Sequence, residues 1–125
     1  MMMPSSNEFS GRFWEALEQL VGASEIVIDR PAGTEHPRHP GFVYPLDYGY
    51  LAGTTTIDGG GVDVWVGSRS REITGVVLTV DLDKKDAEVK ILIGCSPDEM
   101  RTIEAVHNEK SQSGVLIRRS PGDMR

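Results

Sequence analysis

The chain has 125 residues, with 13 basic and 19 acidic side chains, so its formal net charge is −6. This length fits one folded domain, and the acidic balance argues against nucleic acid or an anionic membrane as a partner, because both require a basic face. A single cysteine excludes an internal disulfide, and no apolar run is long enough to span a bilayer. The first residues lack the apolar core and cleavage site of a secretion signal, so we expect a cytoplasmic protein.

The first half of the chain predicts one helix, two strands and the connections between them. Apolar residues at helical spacing predict a helix that covers a sheet, and β-branched runs bounded by glycine or proline predict strands. In chain order these are a helix at 8–21, a strand at 25–30, a proline-rich loop at 31–41, a tyrosine-rich segment at 42–51, a glycine turn at 58–61 and a strand at 62–66.

The second half predicts a hairpin of strands 73–81 and 86–93, a helix opened by the capping box Ser96–Pro97–Asp98–Glu99 and ending near 108, and a strand at 114–118. We expect residues 1–125 to form one domain, with flexible tails at 1–7 and 119–125. The fold class is then mainly β (α+β). The predicted architecture is a small closed OB-like antiparallel β-barrel with an N-terminal helix and a C-terminal helix, because closure removes exposed strand edges.

The predicted hairpin carries an unusual charge pattern. Asp81 and Asp86 lie opposite each other across its turn, and opposed like charges destabilise a sheet unless a cation lies between them. Alternation places Asp86, Glu88 and Lys90 on one face of the second strand and apolar residues on the other. We therefore expect the apolar face to form the core. The charged face either contacts solvent or binds a cation.

A second group of acids lies near other strand ends. Asp58 and Asp63 flank a run of three glycines, and Asp29 ends the first strand. An Asp-Gly pair by itself is an ordinary turn signal, so one such turn is weak evidence of a site. Carboxylates gathered without histidine or cysteine are typical of a site for Mg²⁺, and less surely Mn²⁺, whereas zinc does not suit them.

These motifs occur in the order of a known family. The segment Tyr44–Pro–Leu–Asp–Tyr48–Gly–Tyr50 resembles the tyrosine-rich segment of soluble family I inorganic pyrophosphatases. Asp58–Gly–Gly–Gly–Val–Asp63 resembles their metal-binding signature, and Asp81 with Asp86 resembles their later acid pair. Asp29 resembles their early acidic residue. The resemblance runs from about residue 25 to residue 93.

The resemblance implies a magnesium-dependent hydrolase that cleaves inorganic pyrophosphate to two phosphates with a metal-activated water. It also implies a small anionic phosphate substrate and homo-oligomers. The implied metal ligands are Asp58, Asp63, Asp81, Asp86 and Asp29. The implied catalytic residues are Asp63, Tyr48 and Asp58, and the implied substrate-binding residues are Tyr44, Tyr48, Arg38 and Lys90.

The chain departs from this family at several positions. Gly60 stands where the family has its general base, and Glu88 stands where it has a lysine two residues after the second acid. Lys90 lies nearby on the same face, and Arg38 is the candidate for an arginine in a shortened hairpin. Two alternatives therefore stay open: a catalytically impaired homologue that binds metal or phosphate, and a hydrolase of another phosphoanhydride. His107 is expected only as a helix-dipole partner.

Overall fold

A computed structural model describes residues 6–120, in which two helices flank one six-stranded sheet. Residues 1–5 and 121–125, in the two predicted tails, lie outside the described residues. Helix α1 begins at Ser6, inside the predicted tail. The elements are α1 (Ser6–Gly22), β1 (Ile26–Arg30), β2 (Asp47–Leu51), β3 (Val62–Val66), β4 (Ile73–Asp81), β5 (Asp86–Ile93), α2 (Pro97–Val106) and β6 (Gln112–Arg118).

The mainly-β class is confirmed, but the closed antiparallel barrel is wrong. The strand order is β1-β2-β3-β5-β4-β6, and β3 runs parallel to β5, while the other neighbours are antiparallel. Within residues 6–120, β1 and β6 are edges with one neighbour each, so the sheet is open. Closure is unnecessary because α1 covers the apolar face that a barrel would enclose, with Trp14 buried against Ile73 and Val76.

The core lies on both faces of the sheet. Alternating side chains of the central strands pack against α1 on one face and against α2 and the tyrosine-rich segment on the other. Val64 and Trp65 are adjacent in sequence, and they belong to opposite faces as the period of a strand requires. The second face, which holds Trp65, also carries Asp63 and Lys90.

The two faces of the β4–β5 hairpin differ from the prediction in their burial. Beyond the part covered by α1, the apolar residues Leu78, Val80 and Val89 are 40%, 46% and 42% exposed. The polar face holds Lys90 and Asp81, which are each only 8% exposed. The difference is one of coverage: the core cluster that α1 packs against does not include Leu78, Val80 or Val89, whereas the Tyr48 ring lies over Lys90.

Helix α2 begins as the sequence predicts. Ser96 is its N-cap, its hydroxyl accepts a hydrogen bond from Glu99 N at 3.1 Å, and the Glu99 carboxylate accepts one from Ser96 N at 2.8 Å. This reciprocal pair satisfies two backbone donors that the first turn leaves without a helical partner. Neither helix in the described part of the chain is long and apolar enough to cross a membrane.

Gly49 lies at the centre of the tyrosine-rich segment, where β1 and β2 approach closely. A Cβ atom at this position would lie 1.8 Å from the carbonyl oxygen of Val27, which is backbone and cannot turn aside.

We expect Gly49→Ala to lower the free energy of unfolding by about 1–3 kcal/mol through overpacking. Urea unfolding measures this loss of stability. Gly33→Ala is not a suitable control, because Gly33 has a positive φ, which alanine rarely adopts. Gly22→Ala, where the added Cβ has no neighbour within 4 Å, is suitable.

Candidate functional site

The second face of the sheet brings four polar side chains together at its centre. Tyr48 comes from β2, Asp63 from β3, and Glu88 and Lys90 from β5. The parallel register pairs Val64 with Ile91, so the residues that precede them, Asp63 and Lys90, lie side by side. Glu88 is two residues before Lys90 and therefore points to the same face. We call these four residues the Lys90 cluster.

Hydrogen bonds within the Lys90 cluster converge on the lysine. Lys90 Nζ donates to Asp63 Oδ2 at 2.9 Å, to Glu88 Oε2 at 2.9 Å and to Tyr48 Oη at 3.1 Å. Tyr48 Oη in turn donates to Asp63 Oδ2 at 2.6 Å. An ammonium group has three donors, so the cluster uses all of them. Asp63 Oδ1 accepts no hydrogen bond from the described residues, and the Asp63 side chain is 27% exposed.

The Lys90 cluster changes the titration of its own members. Burial acts to lower the pKa of Lys90, but Tyr48, Asp63 and Glu88 outweigh it, and the pKa of Lys90 lies well above its usual range. Burial and the neighbouring Asp63 also raise the pKa of Tyr48 above its usual value, although Lys90 opposes the shift. At neutral pH the site therefore presents a fixed ammonium and a neutral phenol.

These shifts predict a loss of stability at high pH. Because both pKa values are raised on folding, the native chain binds more protons than the unfolded chain above about pH 10. The contribution to stability is complete at neutral pH and is expected to fall as the pH rises further. Urea unfolding at about pH 8 and about pH 11 measures it, with a smaller fall expected in Tyr48→Phe. A wild-type unfolding free energy that does not change over this range would contradict the prediction.

An aromatic wall runs along one side of the Lys90 cluster. Tyr48 packs edge-on against Trp65 at 4.7 Å between ring centroids, and Tyr44 lies 5.6 Å from Tyr48 and 5.9 Å from Trp65. Trp65 is 1% exposed and Tyr44 is 6% exposed. Burial raises the pKa of Tyr44, and Arg30 partly offsets this rise. The rings of the wall pack against one another, and His36 stacks on Tyr44 at its outer end.

Basic side chains surround the outer end of this wall. Burial lowers the pKa of His36, and so do the positive charges nearby, of which that of His39 has the largest effect. The other groups that act on His36 are Arg30, Lys84 and Arg38. We call these five residues, His36, His39, Arg30, Lys84 and Arg38, the basic rim, and the acidic Asp29 acts on Tyr44 of the same wall. Arg38, a predicted substrate-binding residue, belongs to the rim, is exposed, and donates its backbone N–H to His36 Nδ1 at 3.0 Å.

The predicted metal ligand Asp58 is engaged in its own loop. Its Oδ1 accepts hydrogen bonds from Thr56 Oγ1 at 2.5 Å and from Gly60 N at 3.0 Å. These bonds lower the pKa of Asp58, so it is an exposed, ionised carboxylate. Asp58 thus stabilises the glycine turn, and the structure does not join it to Asp63.

The predicted acids Asp81 and Asp86 are opposite each other in the hairpin register, as the sequence predicts. Asp81 Oδ1 accepts from Asp83 N at 3.0 Å, Lys84 N at 3.2 Å and Ser111 Oγ at 2.9 Å. Hydrogen bonds from Lys84 and Ser111 are the main cause of the lowered pKa of Asp81. Asp81 therefore closes the hairpin turn. Asp29, the remaining predicted ligand, is exposed on the edge strand β1.

The side chains that the structure describes do not form a resident Mg²⁺ cage. Among the described residues, no group of three or more histidine, cysteine, aspartate or glutamate side chains is placed to hold a metal ion. Oxygen donors suit Mg²⁺, but the two carboxylates that do converge, Asp63 and Glu88, enclose the ammonium of Lys90. The chain's own cation therefore occupies the position between them, and the five predicted aspartates do not assemble.

One member of the Lys90 cluster, Glu88, and one residue that contacts the aromatic wall, His107, are not predicted from sequence to have these contacts. The sequence predicts that Glu88 shares a strand face with Lys90 but predicts no role for it, and it predicts His107 only as a dipole partner. A spacing signal for Glu88 is present. The resemblance implies two acids five residues apart and a lysine two residues later, and Asp83, Glu88 and Lys90 satisfy this spacing completely.

Comparisons with known proteins found similar solved structures. No protein-family model and no curated protein matches the chain. An inorganic phosphatase from Anaplasma phagocytophilum is 19% identical over 76% of this chain and 74% of its own, with a TM-score of 0.47. The inorganic pyrophosphatase of Helicobacter pylori is 16% identical over 76% and 75%, with a TM-score of 0.48. That of Coxiella burnetii is 15% identical over 79% and 78%, with a TM-score of 0.45.

Proposed function

We propose that this chain binds inorganic pyrophosphate as its magnesium complex and hydrolyses it to two phosphates. The observation that carries the proposal is the Lys90 ammonium, held between Asp63 and Glu88 on a face that also presents the buried ring of Tyr44 and the partly buried ring of Tyr48. A fixed cation with adjacent phenol groups is a set of donors suited to phosphate oxygens. Arg30, Arg38 and Lys84 of the basic rim are proposed to supply further positive charge for a ligand with several negative charges.

Magnesium enters this proposal with the substrate. Mg²⁺ keeps several of its waters and often binds through one or two carboxylates together with substrate phosphates, so a three-carboxylate cage is unnecessary. Asp58 is exposed and ionised, and is proposed to contact the hydrated ion of the bound complex. When bound, the metal would neutralise phosphate charge and would favour departure of the leaving phosphate.

The chain's own residues then bind the substrate and handle the proton of the attacking water. Of the three acceptors of Lys90, Tyr48 Oη is the most distant and the only neutral one, so a phosphate oxygen is proposed to replace it. Tyr44 and Arg38 are proposed to bind the other phosphate. Asp63 Oδ1 is proposed to accept the water proton, while Tyr48 and Lys90 hold Oδ2 in place.

The test is release of phosphate from pyrophosphate in the presence of Mg²⁺ across about pH 6 to 9, alongside a small panel of other phosphoanhydrides. The proposal expects release from pyrophosphate above the blank without protein. No release from any substrate of the panel would reject hydrolysis, and preferred release from another anhydride would reject pyrophosphate as the substrate.

One observation favours a second function, binding of the magnesium–pyrophosphate complex without turnover. Gly60 stands where the resemblance implies a general base, and a side chain fits there because an added Cβ lies 3.4 Å from Asp58 Oδ1, an ordinary contact. We expect Gly60→Asp to fold like the wild type and to raise the rate of phosphate release by about tenfold or more. Gly60→Asn is the matched control. Equal rates in both variants would show that an added carboxylate does not supply a base.

A further inference from the structure

A buried hydrogen-bonded chain connects the end of helix α2 with the aromatic wall. Trp65 Nε1 donates to His107 Nε2 at 3.1 Å, and His107 Nδ1 lies 2.9 Å from Gln112 Oε1. An indole N–H is only a donor, so Nε2 is the accepting nitrogen of His107, and Nδ1 carries the proton that is donated to Gln112. His107 is 5% exposed and Trp65 is 1% exposed, so water does not compete freely for these bonds.

Trp65 connects His107 to the Lys90 cluster. It is the cross-strand partner of Tyr48, and the ring of Tyr48 packs edge-on against its indole at 4.7 Å. The angle of the indole therefore limits the orientation of the Tyr48 ring. Tyr48 Oη must point toward Asp63 to hold the 2.6 Å hydrogen bond to its carboxylate.

We propose that His107 is a positioning residue, which fixes the indole of Trp65 and thereby holds the Tyr48 hydroxyl against Asp63 and Lys90. This inference rests on the proposed function, because the effect on rate passes through a cluster proposed to bind and hydrolyse pyrophosphate. Gln112 on β6 fixes the tautomer of His107, so two elements outside the site determine its geometry.

The state of His107 agrees with this role. Burial lowers the pKa of His107, and the charge of Lys90 acts in the same direction, whereas Gln112, Glu88 and Asp63 oppose the shift. A neutral imidazole is the form that accepts the indole N–H. The alternative is that His107 only fills space in the core, and in that case any side chain of suitable size would serve.

The experiment compares His107→Gln with His107→Leu. Glutamine keeps an acceptor near the position of Nε2, and leucine removes it while filling the cavity. Ile103→Val, on helix α2 and in the core cluster that contains Trp65, is the control for a small loss of packing. We expect kcat to fall by about tenfold or more in His107→Leu and to stay near the wild-type value in His107→Gln. We expect the double variant Tyr48→Phe/His107→Leu to have the same kcat as Tyr48→Phe alone, because His107 acts through Tyr48.

A second readout does not depend on turnover. The ring signals of Tyr48 in proton NMR, assigned by their loss in Tyr48→Phe, report its position relative to the Trp65 indole. We expect them to move in His107→Leu and to stay near the wild-type values in His107→Gln. Unmoved Tyr48 signals in His107→Leu would overturn the inference. A wild type without phosphate release would reject the proposed function, and the NMR comparison would still decide the role of His107.

Discussion

Asparagine in place of Asp63 is expected to reduce the rate of phosphate release from magnesium pyrophosphate by about 10²–10⁴-fold, the usual contribution of a general base. The amide keeps an oxygen that can accept from Tyr48 and Lys90, so the shape of the Lys90 cluster is retained while the basic oxygen is lost. Initial rates of phosphate release in wild type and Asp63→Asn measure this effect.

The matched control is Asp98→Asn. Asp98 lies on α2, its side chain is 89% exposed, and it pairs with Arg101 at the surface. It is expected to leave the rate unchanged, because a surface pair of this kind contributes little. If the rate of phosphate release by Asp63→Asn is within about twofold of the rate by Asp98→Asn, Asp63 is not the general base. A thermal melt of each variant excludes unfolding as the cause.

Methionine in place of Lys90 is expected to weaken pyrophosphate binding by about 10–100-fold, because it removes one charge-assisted hydrogen bond to a phosphate oxygen. It also leaves Asp63 and Glu88 facing each other without a cation. Breaking a buried ion pair costs about 3–5 kcal/mol. Because both carboxylates are more than a quarter exposed, we expect Lys90→Met to lower the free energy of unfolding by a smaller amount, about 1–3 kcal/mol.

Calorimetric titration with magnesium pyrophosphate and urea unfolding at neutral pH measure the two effects of Lys90→Met. Lys90→Arg, which keeps the charge, is the control and is expected to retain most of the stability. Because folding raises the pKa of Lys90, the stability difference between wild type and Lys90→Met should shrink above about pH 10. Unchanged affinity in Lys90→Met would show that the substrate binds elsewhere.

Local sequence signals predicted the elements around the site well. The bounds of β3, β4 and β5 match the predicted strands residue for residue, because alternation and glycine or aspartate turns fix a strand from its own sequence. The capping box of α2 is equally local. What the sequence could not reveal is that β3 pairs in parallel with β5, since that pairing depends on where the intervening strand β4 is placed.

The composition of the site followed from that unpredicted pairing. The parallel register puts Lys90 beside Asp63, which lies 27 positions earlier in the chain. The sequence predicts both residues in the site, but with a metal ion between carboxylates, whereas the structure has the Lys90 ammonium there. His107 was underestimated for a similar reason, because its partner Trp65 is 42 positions away. Contacts at such separations are properties of the fold and have no local pattern.

The most direct test of the account compares phosphate release from pyrophosphate by wild type and Asp63→Asn, with Mg²⁺ present and after its removal by a chelator. The account predicts release by wild type with Mg²⁺, very little without it, and at least about a hundredfold less in Asp63→Asn under the first condition. Equal rates in the two proteins, or no release by wild type with Mg²⁺, would contradict it.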